Sequence, residues 1–399
     1  MDSQYPWRQR SLLSNVGAAG VFLYIIAIIF PLPGWIPVTL LVIASIATAI
    51  YSAGADAPAV PRAAIYLVVF FIIVYAISVI TSKAFEHSLQ LSVSLLPALL
   101  IFYLITETLI SQKDMERLFV CCSVAALLIA IGSLWAARDY GIPISLRPPM
   151  DFNKLVRWSP ILVVKNDLTV LSLIAPFSVA LVCRKPLSIP GVLAAISILI
   201  SLCTVILFQS RGATATMVAG IIGVALVLRS RPVIVSIAGA LFLAITIDAW
   251  QGFPLAERFL EGIPKSDTRL SLWRLAWIQF NSSPWFGTGL HTFSLNSSWA
   301  APWPHNLFLE ALSGQGALGL FSLCALIGYV IFVSWSGGQS NQQNVRFLSA
   351  GTFGSVMGFS FSSLVELSFL REWVILFLFL LVALAANLAR QTQSSLNRN

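Results

Sequence analysis

Residues 188–229 read SIPGVLAAISILISLCTVILFQSRGATATMVAGIIGVALVLR: two apolar runs joined by nothing longer than Gln209-Ser210-Arg211-Gly212. A helix needs about 20 apolar residues to cross the hydrocarbon of a bilayer, and each run comes close to that length. This stretch therefore reads as a hairpin of two membrane helices with almost no loop. The same signal recurs along the chain. In a window of about 19 residues, apolar runs fall at 12–31, 35–53, 63–81, 90–110, 118–136, 161–183, 188–208, 213–229, 232–250, 307–335, 346–366 and 372–390. The run 161–183 is the weakest, because Lys165, Asn166 and Asp167 sit near its start, and the long run 307–335 is expected to open as a short surface helix. The reading is an all-α polytopic membrane protein of about twelve transmembrane helices.

Composition agrees. The chain is 58% hydrophobic and 10% charged over 399 residues, whereas soluble domains hold roughly 45–50% apolar and about 25% charged residues. A soluble enzyme, a disordered chain and a secreted disulfide scaffold are excluded. An outer-membrane barrel is disfavoured, since the signal is long runs and not ten-residue alternation. The five cysteines (Cys121, Cys122, Cys183, Cys203, Cys324) lie in or at the ends of apolar runs and read as small apolar fillers. No small-x-small cleavage site follows the first run, which is expected to stay as a span.

The formal net charge is +8, and its meaning depends on which side each cation occupies. With the N-terminus inside, Arg8, Arg10, Arg62, Lys113, Arg117, Arg184, Lys185, Arg229, Arg231, Arg346, Arg390 and Arg398 face inward, and short outward loops hold Lys83, Arg211 and Arg371. Twelve against three places both termini in the cytoplasm. The other nine cations gather on two long external segments: Arg138, Arg147, Lys154, Arg157 and Lys165 on 137–165, and Arg258, Lys265, Arg269 and Arg274 on 251–306. Long loops translocate whatever their charge, so these are either ordinary solvated loops or a site for a phosphate-bearing, lipid-linked substrate. The chain reads as one membrane domain, 1–399, with the loop 251–306 between the ninth and tenth spans as an external cap and 137–165 as a second loop.

Three motifs carry candidate chemistry. Arg211 either snorkels to the interface or faces a cavity. In the large loop, Ser266 or Asp267 can cap a helix that places Arg269 and Trp273 on one face and stops at Asn281-Ser282-Ser283-Pro284, before a Gly287-Thr288-Gly289 turn. Six of the twelve tryptophans lie between 250 and 303; they form an interfacial belt or stack on sugar rings. His305, one of three histidines, opens the run 307–335; an imidazole titrating near 6.5 can accept a hydroxyl proton. Glu310, five residues on, falls off its helical face, so no pairing of these two is expected. The external loops hold no Asp-x-Asp pair and no metal-ligand spacing, and no phosphate-binding or nucleophile-elbow motif appears.

In this order, Ser210-Arg211-Gly212, Arg269-x-x-x-Trp273, Pro284-Trp285-Phe286-Gly287-Thr288-Gly289-Leu290, His305-Asn306-x-x-Leu309-Glu310 and Gly316-x-x-Gly319 resemble the O-antigen ligase/polymerase superfamily, most closely the O-antigen ligases. Arg147-Pro148-Pro149-Met150-Asp151-Phe152, leading to Asn166-Asp167, loosely resembles that family's other external loop. The resemblance implies a GT-C-like fold in the inner membrane of a Gram-negative bacterium. It implies a metal-independent, inverting transferase without cofactor, which moves a polysaccharide from undecaprenyl diphosphate to lipid A–core at the periplasmic face. In family terms His305 is the general base, and Arg211 and Arg269 hold the diphosphate. Arg147, Arg157, Lys165, Arg274, Trp273 and Asn306 are the candidate substrate-binding residues. His291 has no counterpart in the pattern and is read as non-catalytic. The expected partners are the lipid-linked O-antigen, lipid A–core and membrane lipids, with no nucleic acid. A polymerase joining lipid-linked repeat units and a lipid-linked glycan flippase are the alternatives.

Overall fold

The computed structural model describes residues 6–52, 60–139, 158–162, 165–208, 210–229, 266–296 and 303–396. The helices are α1 (Pro6–Ala27), α2 (Trp35–Ser52), α3 (Arg62–Ile80), α4 (Phe85–Ser92), α5 (Leu95–Thr108), α6 (Gln112–Asp139), α7 (Thr169–Arg184), α8 (Ile189–Leu207), α9 (Arg211–Leu228), α10 (Ser266–Ser282), α11 (Leu307–Gly338), α12 (Gln343–Val365) and α13 (Glu372–Leu396), with 3-10 turns at Lys165–Leu168 and Phe293–Asn296. Among the described residues nine helices are long and apolar enough to cross a membrane, and Asn15–Ala27 and Trp35–Ile50 are shorter apolar helices. The all-α polytopic architecture holds. The expected span 232–250 lies outside the described residues, as do Arg147 and Arg157 and much of the two external segments.

Two boundaries differ from the sequence reading, each for a local reason. The sixth run becomes α7 only at Thr169, because Lys165–Leu168 fold as a 3-10 turn in which Asn166 and Asp167 take side-chain partners elsewhere. The long run 307–335 is one segment with a break at Gly316 (φ 70°, ψ −166°), and its first piece is buried and does not lie on the surface.

The inner helices are α7 and α13, each with 83% of its spanning window buried, and α12 with 72%. In contrast, α3 and α8 keep most of their apolar surface outward, as helices bathed in lipid do. Helices α9 and α12 meet through glycines. A Cβ on Gly354 would fall 2.5 Å from the Gly220 carbonyl oxygen, and one on Gly223 would lie 2.9 Å from the Gly354 Cα. Close backbone approach of this kind is how helices pack in lipid, where apolar side chains gain little by leaving the solvent. It also aligns the start of α9 with the end of α12, so that a Cβ on Gly212 would stand 3.9 Å from Glu366 Oε2.

The break in α11 is filled by the Pro284–Leu290 turn. Thr288 and Gly289 N–H donate to the Ser313 and Gly314 carbonyls at 3.0 Å each, and Ala317 N–H donates to the Pro284 carbonyl at 2.8 Å. Ser78 on α3 donates its hydroxyl to the Gly314 carbonyl at 2.8 Å. Backbone groups released by a helix break inside a membrane protein need such partners. The glycines serve contact: Cβ atoms on Gly287 and Gly316 would come within 2.3 Å of backbone atoms of Gly314 and Trp285.

The charged groups divide between the bundle's two ends. At one end Arg184 pairs with Glu116, Arg229 donates to Gln339, Arg346 to the Leu228 carbonyl and Arg390 to the Thr106 carbonyl. At the other end lie the starts of α7, α9, α11 and α13, the end of α12, and Arg269 and Arg371. The sequence count makes the same division.

Gly354→Ala would have to move a helix, since its Cβ meets backbone. A loss of about 1–3 kcal/mol is expected for such overpacking, read as a lower melting temperature in detergent, whereas Gly328→Ala, with nothing within 4 Å of its Cβ, should melt near wild type.

Candidate functional site

Glu366 stands at the C-cap of α12, its side chain only 8% exposed. Its Oε2 lies 3.5 Å from the Arg269 guanidinium and its Oε1 3.6 Å from His305 Nδ1, and Asn166 Nδ2 donates to Oε1. Five residues on, Arg371 is paired with Asp167, and its guanidinium lies over the Trp303 ring at 4.8 Å. The Trp303 and His305 rings are 5.2 Å apart. Asn166, Asp167, Glu366, Leu367, Arg371 and Trp373 line a small polar pocket here. Each charged member faces an opposite charge, as burial at a membrane boundary requires.

The His305 turn is built with care for its position. Asn306 is the N-cap of α11, its Oδ1 accepting from Leu309 N–H at 3.0 Å. His305, just before it, takes a left-handed φ of 53°, which costs a non-glycine residue about 1 kcal/mol or more. Trp273 Nε1–H donates to the Pro304 carbonyl at 3.1 Å and ties the turn to α10. The packed core of Leu272, Ala276 and Phe293, with Leu309 against it, holds α10 on the first piece of α11.

The sequence-predicted residues separate into groups. Arg269 and His305 meet at Glu366, and Arg211 begins α9 beside the same carboxylate. Trp273 and Asn306 take part through the turn, one as a hydrogen-bond donor to Pro304 and the other as a cap. Arg274 is solvent-exposed on α10. Lys165 opens the 3-10 turn that carries Asn166 and Asp167, while its side chain, like Arg147 and Arg157, lies outside the description. Among the described residues no three His, Cys, Asp or Glu side chains gather as a metal would need. Sequence reasoning missed Glu366 as a site residue, and treated Arg371 only as a topology cation. The available signal was an acid and a base flanking a four-residue turn between two apolar runs.

A second histidine–carboxylate pair sits behind the first. Glu310 faces His291, with Oε1 3.9 Å from Nδ1, and not His305. The His291 side chain is 1% exposed, takes a φ of 59°, and neither ring nitrogen has a hydrogen-bond partner. Burial first, and the charge of His87 second, push its pKa down to about 4.

Comparison with known proteins gives one family: residues 196–324 match the model described as O-antigen ligase. The match bears out the resemblance read from the motifs. It takes in Arg211, Arg269, Trp273, His291 and His305, and stops before Glu366 and Arg371. No curated protein matches the chain.

His291 yields a pH dependence. Its ring titrates near 6.5 when unfolded and near 4 when folded, so between those values the unfolded chain binds more protons and stability falls as pH falls. The contribution is complete above pH 6.5 and reaches about 3 kcal/mol of loss at pH 4. Melting temperatures in detergent should drop across that window, and His291→Gln should flatten the drop; an equally steep profile in the variant would assign it elsewhere.

Proposed function

We propose that this chain, with its O-antigen ligase domain, is a bacterial inner-membrane glycosyltransferase that ligates O-antigen from undecaprenyl diphosphate onto lipid A–core. The observation that carries the reading is the meeting of His305 and Arg269 at one buried carboxylate, Glu366, with Arg211 opening α9 beside it at one end of the bundle. The positive-inside rule assigns that end to the periplasm and both termini to the cytoplasm.

In this reading His305 Nδ1 is turned toward Glu366, which leaves Nε2 to take the proton from an acceptor hydroxyl. The hydroxyl oxygen attacks the anomeric carbon opposite the diphosphate. The bond between that carbon and the phosphate oxygen breaks, its electron pair leaves with undecaprenyl diphosphate, and the configuration inverts. Arg269 keeps donors for a phosphate despite its contact with Glu366, since its side chain is 44% exposed and a guanidinium carries five N–H groups. Arg211, in the first turn of α9, adds its charge to the positive end of a helix. Cations that stabilise a leaving diphosphate remove the need for an acid to protonate it.

Reconstitution with lipid-linked glycan and lipid A–core is the direct test. Polysaccharide joined to lipid A–core supports ligation; lengthened lipid-linked glycan makes the enzyme a polymerase. His305→Ala should lower transfer by about 10²–10⁴-fold while donor is still bound. Arg211→Ala and Arg269→Ala should weaken donor use, and unchanged diphosphate-lipid binding in both would remove the charge clamp. Transfer should persist in excess chelator.

A further inference from the structure

The two oxygens of Glu366 are held differently. Arg269 Nη2 reaches Oε2 at 3.5 Å, while Oε1 lies 3.6 Å from His305 Nδ1 and accepts from Asn166 Nδ2. An arginine beside an unrestrained carboxylate favours a two-pronged pair with both oxygens, the strongest arrangement open to it. Here that pairing would occupy donors that a diphosphate needs, and it would turn Oε1 away from His305. An uncharged amide holds Oε1 instead.

The amide is firmly seated. Asn166 lies in the 3-10 turn Lys165–Leu168, and the next residue, Asp167, is paired with Arg371, five residues after Glu366. The turns 165–168 and 366–371 are thus tied twice, through neighbouring residues on one side and through both ends of the turn on the other. Helix α7, which follows the first turn, is itself fixed to α12 by the Ser355 hydroxyl, which donates to the Leu173 carbonyl at 2.8 Å. Asp167 and Leu168 are buried, and Asn166 is half-buried against the small polar pocket. With its backbone held in this way, Asn166 resists any rotation of the carboxylate toward Arg269.

We infer that Asn166 is a positioning residue that divides the Glu366 carboxylate: by holding Oε1 toward His305 it keeps Arg269 from closing a two-pronged pair. It thereby serves the base and the diphosphate clamp together. This rests on the reading of His305 as base and Arg269 as a diphosphate ligand, and it assigns Asn166 no contact with substrate.

The test pairs equilibrium binding of undecaprenyl diphosphate with steady-state transfer, both on the full-length protein in proteoliposomes. Asn166→Ala should weaken binding about tenfold, the worth of a hydrogen bond to a charged group. It should also lower kcat about 10–100-fold, the range expected for a misplaced catalytic pair. Asn166→Leu, which keeps the side-chain volume without a donor, should do the same and carries the test where Asn166→Ala does not fold. In an Arg269→Ala background the binding loss from Asn166→Ala should vanish, because no guanidinium is left to be captured. A residue needed only for packing would weaken binding by the same factor in both backgrounds. Equal factors in the two backgrounds, or a kcat loss with donor binding intact, would overturn the inference. If Arg269→Ala itself binds the lipid like wild type, the underlying reading has failed; if Arg269→Ala loses binding and both Asn166 variants bind like wild type, only the positioning role has.

Discussion

Most of the site follows from one constraint: Glu366 is a carboxylate at the end of an apolar helix, with its side chain 8% exposed. An unpartnered charge there would cost several kcal/mol even after relaxation. The chain surrounds it with partners drawn from three separate stretches, Arg269 from α10, His305 from the mouth of α11 and Asn166 from the turn before α7, and sets the start of α9 beside it. Satisfying one acid thereby brings together groups that are distant in sequence.

For that gathering to work, backbones have to come unusually close. The glycines of α9 and α12 let two helices touch along their length and so fix where Arg211 stands relative to Glu366. The break at Gly316 does the complementary job. It frees the first piece of α11 to angle toward the site, and the Pro284–Leu290 turn supplies hydrogen bonds that the break released. The glycine-rich motif that looked in the sequence like a plain turn is therefore a patch for a cut helix.

Much of this was legible beforehand. Apolar run length placed the spans, and the run of cations divided the ends as the structure does, because both signals are local and set by the bilayer. Helix α10 begins and stops near the predicted residues, since Ser266 and Pro284 are local signals too. What could not be read was pairing across the bundle. Nothing near Glu366 in the sequence points to Arg269, 97 residues away. Glu310 illustrates the limit from the other side: helical spacing correctly kept it from His305, but only the fold shows it beside His291. Asn306 and Trp273, read from the sequence as substrate groups, also act on the backbone of the His305 turn, since capping and anchoring use the same polar side chains as recognition.

The two arginine–carboxylate pairs divide the work by exposure. Arg371 is 11% exposed, bound to Asp167 and stacked on Trp303, and it braces the wall against which the His305 ring rests. Arg269 is 44% exposed and touches Glu366 through a single longer contact. A guanidinium held on one side and open on the other is oriented before any anion arrives, so little reorganisation remains when charge builds on a leaving phosphate. The excess of positive charge therefore matters less as a sum than as a position: one cation buried to shape the site, and one left with its remaining donors facing outward.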